Sequence, residues 1–182
     1  CDFLKNNVEE ITLLAFIYTL AGITLIDVPA SPKAVTKAKK AIDHAVSKAN
    51  HQKANIEFKP YLIASIQSST YSKKDESAFK SLLDQCIYSN VDGFEIHVDT
   101  ININEIKRQL EIIKEHKPPQ LISISVSRKK LSNASIIDLI KVARETIKID
   151  PIVEVEGIND DLVGESYNTT LQTISTADII NK

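Results

Sequence analysis

The chain has 182 residues, 43% hydrophobic and 25% charged, with 22 Lys+Arg against 24 Asp+Glu and a formal net charge of -2. That is the balance of an ordinary globular domain long enough for a sizeable core, and it excludes the basic field of a general nucleic-acid binder. The only two cysteines, Cys1 and Cys86, exclude a disulfide scaffold and a cluster or zinc site built from four cysteines within the chain.

The longest uncharged stretch, Ile11 to Ile26, has 16 residues with Gly22 inside it. A membrane span needs about 20 apolar residues, so a buried helix leading into a buried strand is expected instead. Cys1-Asp2 resembles the start of a mature lipoprotein, but the residues after it read as the middle of a fold, without a flexible polar tether. No signal-peptide pattern opens the chain, and a cytoplasmic location is expected.

Asn7 is placed to cap a first helix, with Glu10 three residues on. Leu13, Leu14, Phe16, Ile17 and Leu20 give that helix a broad apolar surface, so it should be largely buried. Gly22 supplies the left-handed residue that ends it, and Thr24 to Val28 reads as a strand. Ser31-Pro32 opens a second helix, with Val35, Ala38, Ala41, Ile42 and Ala45 at helical spacing. Its Lys33, Lys37, Lys40 and Lys48 read as a solvated face rather than a binding patch.

Tyr61 to Ile66 is the next strand, and the polar stretch Gln67 to Lys74 a loop. Phe79, Leu82, Leu83, Cys86 and Ile87 mark a third helix, and Gly93 to Val98 a strand after it. Asn102 and Glu105 open a fourth helix carrying Ile103, Ile106, Leu110 and Ile113, and Pro118-Pro119 stops it. Leu121 to Val126 is a strand, Ser132 begins a fifth helix, and Pro151 to Glu156 is the last clear strand. A weaker helix is expected over 169–180.

Strands recurring roughly every 30 residues between helices predict a parallel sheet of βα units. The strands alternate, as in Phe94-Glu95-Ile96-His97-Val98 and Ile122-Ser123-Ile124-Ser125-Val126. A sheet covered by helices on both faces would read as continuous apolar runs. One apolar face and one face turning polar toward the strand C-termini suits a barrel with a functional mouth. A complete barrel takes about 250 residues. The expected fold class is therefore α/β, a parallel (βα) repeat forming a partial TIM-barrel-like structure. Residues 1–182 are expected to be one barrel-like domain truncated at both ends, and the absence of methionine fits a fragment or a processed chain.

Cys1, Tyr18-Thr19-Leu20-Ala21-Gly22, Ile26-Asp27-Val28 and Ala30-Ser31-Pro32 resemble the start of the cyanobacterial light-dependent period (LdpA-like) iron–sulfur protein family. In that family a strand runs into a Cys, and the next strand ends Ile-Asp-Val. Leu62 to Gln67, Phe94-Glu95-Ile96-His97 and Leu121 to Ser125 are similar to further strands of it. Gly157 stands where the family has an Asp-Gly turn, although Ile158-Asn159 replaces the Arg-Pro pair after it. The family's cysteine-rich ferredoxin-like module has no counterpart in Ser68 to Asn90, which holds only Cys86. The resemblance implies the barrel scaffold of a redox- and light-input sensor of the circadian clock, acting through protein partners. It implies no cofactor in this chain, whereas family members carry iron–sulfur clusters.

Glu95 and His97 are two apart on a strand and so share a face. If that face is the lumen, Asp27, Ser65, Ser125, Glu154 and Glu156 converge on them from neighbouring strand ends. Such a set could bind a ligand or a divalent metal, or do acid–base work; a hydrogen-bonded polar plug is the alternative. Glu and His ligands suit Zn, Mn or Fe(II), and weak binding at most is expected from strand ends held wide apart. Cys1 is the candidate reactive thiol and Cys86 a small core hydrophobe. His44, His51 and His116 read as surface residues, and the sequons at Asn133 and Asn168 carry no sign of secretion. With four glycines there is no phosphate loop, Rossmann or Walker sequence. No strand ends in Lys for a Schiff base, and no nucleophile elbow occurs. A non-enzymatic sensor with protein partners, no nucleic acid and no membrane span is the expected function. A barrel enzyme or small-ligand binder using the carboxylate and histidine mouth is the alternative.

Overall fold

The computed structural model describes residues 7–51, 59–71, 75–98, 102–116, 121–127, 133–147 and 152–156. Cys1, Gly157, the Asn168 sequon and the 169–180 helix lie outside the described residues.

Helix α1 (Val8–Leu20) begins where the Asn7 side chain accepts from the Glu10 amide at 2.9 Å. It ends where Gly22 takes φ +78°, letting the Gly22 and Ile23 amides turn back to Thr19 and Tyr18 carbonyls. Five strands come after it, β1 (Leu25–Pro29), β2 (Tyr61–Gln67), β3 (Gly93–Val98), β4 (Leu121–Ser127) and β5 (Ile152–Glu156). Between them run α2 (Pro32–His51), α3 (Glu76–Tyr88), α4 (Ile103–Glu115) and α5 (Asn133–Ile147). Strand β1 lies one residue later than the pattern suggests and includes Pro29, which β1 tolerates as the first strand of the order. Asn102 caps α4 as expected, accepting from the Glu105 amide at 3.2 Å.

All neighbouring strands are parallel, and their order across the sheet is β1-β2-β3-β4-β5. Strand order never reverses, so no doubly wound switch point exists among them. Right-handed crossovers then carry every intervening helix to one face. The core agrees. Ile26 and Val28 of β1, Leu62 and Ile66 of β2, Phe94 and Ile96 of β3, and Ile122 and Ile124 of β4 form one buried cluster. Val35 and Ile42, Phe79 and Leu83, Ile106 and Leu110, and Leu139 and Ile140 of the four helices close it. This one-sided arrangement is the partial-barrel plan the alternation predicts.

Gly93 begins β3 where the strands approach closely: a Cβ there would stand 2.7 Å from the Leu121 carbonyl oxygen. Just before it the chain is tied by a side chain. Asp92 accepts from the Leu62 amide at 2.8 Å and from Lys39 Nζ at 3.2 Å. Both contacts fix the entry to β2 and β3 against α2.

Candidate functional site

The strand residues left out of the helix-packed cluster define the second face. The register sets them in rows. Pro29, Ser65, Glu95 and Ser123 form one row, and Gln67, His97, Ser125 and Glu154 the next, one pleat nearer the strand C-termini. Ser65, Glu95, Ser123 and Ser125 are all buried, Glu95 with 5% exposure.

Glu95 sits between serines of both neighbouring strands. Ser65 Oγ donates to its Oε1 at 2.6 Å, and Ser123 Oγ reaches its Oε2 at 3.5 Å. A buried carboxylate needs such donors, because desolvation otherwise penalises its charge. One pleat higher, His97 Nδ1 lies 3.3 Å from Ser125 Oγ. The tautomer that donates or accepts here is set by the contacts of the other ring nitrogen.

Of the residues expected at the mouth, the structure thus brings Ser65 to Glu95 and Ser125 to His97. Asp27 is placed differently. It is level with Ile63 and Gly93, two strands from Glu95 and one pleat below it. Glu154 and Glu156 occupy register positions beside Ser125 and Ser127, and their side chains lie outside the described set. Among the described residues no group of three or more His, Cys, Asp or Glu side chains is arranged to hold a metal ion. Cys1, the candidate reactive thiol, is not described.

Ser123 belongs to the site although its residue type does not single it out. Alternation along β4 puts Ser123 on the face of Ser125, and the register, which alternation does not give, sets it directly opposite Glu95. A second group that sequence reasoning misses ties down the loop after β2. Gln109 of α4 is fully buried and donates Nε2 to the carbonyls of Ser68 and Tyr71 at 2.9 and 3.0 Å. Its Oε1 is buried without a hydrogen-bond partner. Arg108 joins Glu105 of its own helix to Glu76 at the start of α3, 3.3 Å away. Lys80 and Arg108 beside Glu76 hold that carboxyl below the usual carboxylate range. The backbone of the same loop is locked to β3 by Ser68 N donating to the His97 carbonyl.

Cys86 lies on the buried side of α3, and burial pushes its thiol up to about 11. It is the core residue its helical position predicts. His116 corrects the surface reading. Its side chain is only 17% exposed, with Nδ1 at 2.9 Å from the Ile112 carbonyl and Nε2 at 3.7 Å from Asp84. The helix ends there, and the ring folds back onto the Ile112 carbonyl, which also accepts from the His116 amide at 3.2 Å.

No family model and no curated protein matches the chain. No helix among the described residues is long and apolar enough to cross a membrane.

Proposed function

We propose that this chain is a non-enzymatic, sensor-type βα-barrel domain that works through protein partners, in the manner of the light-dependent period family it resembles. One observation carries the reading. The polar face is satisfied from within, Glu95 by Ser65 and Ser123 and His97 by Ser125. A carboxylate already engaged by neutral hydroxyls on two strands serves packing and orientation better than proton transfer to a substrate. So read, the protein works in the cytoplasm, with a redox- or light-input role in a circadian clock.

Iron–sulfur clusters, which the resemblance attaches to the family, do not fit the described residues. Cys86 is the sole described cysteine, and its buried, protonated thiol is a poor ligand. The chain itself is therefore proposed to act without a cluster.

A second reading rests on Glu95 and His97 sharing one face toward the strand C-termini, where barrel sites are built. Calorimetric titration with Zn and Mn separates the two. The sensor reading expects weak binding at most, with no submicromolar site for either metal. Submicromolar affinity lost in both Glu95→Gln and His97→Ala would overturn it in favour of the enzyme. The clock assignment has its own test. Expression of this chain in a cyanobacterium with a luminescent clock reporter should shift the period by competing for partners; an unchanged period at confirmed expression refutes that assignment.

A further inference from the structure

Helix α1 is apolar almost all round. Ile11, Ala15 and Thr19 face the core and α2, while Leu13, Ile17 and Leu20 lie on the far side at helical spacing. Their exposures are 58, 46 and 45%, and Ile23 extends the stripe beyond the helix at 44%. Isolated exposed leucines need no explanation, but an aligned stripe on one helix does.

Helix α2 carries a basic row beside it. Lys33, Lys37, Lys40, His44 and Lys48 recur at intervals of three or four and are all exposed. Asp43, the only acidic residue on α2, is paired with Lys59 at 2.6 Å. Among the described residues no carboxylate pairs with Lys33, Lys37 or Lys40. The row and the stripe meet at Phe16. Its ring packs against His44 at 5.3 Å between centroids, and Lys48 Nζ stands 5.6 Å above it. From sequence alone these lysines read as a solvated face. The structure joins their row to the apolar surface of α1 through Phe16, against His44 and Lys48.

We propose that the outer surface of α1 and α2 is a docking site for an acidic amphipathic helix of a partner protein. Its apolar side would cover Leu13, Ile17 and Leu20, and its carboxylates would lie along Lys33, Lys37 and Lys40. One feature chooses this occupant over an anionic lipid surface. Glu9 and Glu10 are exposed at the start of the same apolar stripe, where a lipid phosphate layer would repel them. A discrete helix can instead place a lysine opposite them. A second copy of the chain fits less well, because stacking α2 on its twin sets one lysine row against another. Such a surface is what a sensor acting through partners requires, and it stands on residues independent of the polar face.

The probe is a synthetic 20-residue helical peptide with leucines at a and d positions and glutamates flanking them, compared with the same peptide carrying lysines for the glutamates. Fluorescence anisotropy with the full chain should give the glutamate peptide a Kd of tens of micromolar and the lysine peptide one at least ~10-fold weaker. The combined variant Lys33→Glu, Lys37→Glu, Lys40→Glu should invert that preference, and Leu13→Ser with Ile17→Ser should abolish binding of both. Circular dichroism checks that each variant keeps its fold, and the inversion cannot come from unfolding. Equal binding of the two peptides, or none at about 1 mM, overturns the proposal. So does binding to phosphatidylserine vesicles, or concentration-dependent dimerisation, that these same substitutions remove. None of these outcomes depends on the clock assay, so either idea can fail alone.

Discussion

Ser65 and Glu95 are register partners on β2 and β3, and the serine hydroxyl donates to the carboxylate at 2.6 Å in a buried setting. The bond crosses between two strands on the face turned away from the helix-packed cluster. A hydroxyl in that position both satisfies the charge and fixes which way the carboxylate points.

Ser65→Ala should therefore destabilise the fold by about 1–3 kcal/mol, since a buried acceptor loses its nearest donor. Glu95→Gln should cost less, because the amide oxygen can still accept from Ser65 while its nitrogen donates to the hydroxyl of Ser123. Urea unfolding of both variants checks the order. A Ser65→Ala variant as stable as the parent would show that Glu95 is held from elsewhere.

Gly93→Ala should cost about 1–3 kcal/mol. The added methyl meets the Leu121 carbonyl oxygen at 2.7 Å and the Leu121 Cβ at 2.8 Å, and backbone cannot step aside as a flexible side chain can. Gly22→Ala is the control. Nothing lies within 4 Å of its Cβ position, so only the left-handed backbone resists, at about 1 kcal/mol. Thermal unfolding should rank the first variant below the second.

Alkaline pH should weaken the fold partly through Cys86. Its thiol sits at about 11 in the folded protein against 9.0 unperturbed. Between those values the unfolded chain loses the proton first, so stability falls as pH rises through the window. Cys86→Val should remove that share of the slope in unfolding measured from about pH 8 to 11. Ellman's reagent at about pH 8 should modify Cys86 only once the protein is unfolded.

On the acid side the sign reverses. Glu76 is held below its usual range first by Lys80 and then by Arg108, so its contribution is present above that range and lost as pH falls. Glu76→Gln should flatten the acid limb of a stability curve slightly, and the effect should shrink in high salt because the pair is exposed.

Much of the fold is legible because strand alternation and helix periodicity report the same partition. Phe94, Ile96 and Val98 against Glu95 and His97 announce a one-sided sheet, and sequential βα units leave one topology for it. Caps at Asn7 and Asn102 and the stop at Gly22 are local chemistry, which sequence states directly. Register is not local. Asp27 shares the strand-end pattern of Glu95, yet the pairing of Asp27 with Ile63 sets it two strands away and a pleat lower. Ser123 escapes a sequence reading for the same reason. Gln109 sits on the apolar stripe of α4 beside Ile106 and Leu110, and nothing in its spacing reveals that its amide holds the loop after β2. His116 reads as exposed because it comes just after a helix, whereas its ring turns back onto the last carbonyls.

The strand order also governs the way the protein comes apart. Each strand bonds only to the strands just before and after it in the chain, as successive units do in a repeat array. Among the described residues no strand from one end closes over the other, so loosening spreads inward from β1 and β5 one unit at a time. Strand β3, flanked by two neighbours on either side, is the last to release its amides, and it carries Glu95 and His97. Buried Glu95 and half-buried His97 thus sit in the slowest-opening part of the sheet, while α1 and the lysine row of α2 belong to an end that can open without disturbing them.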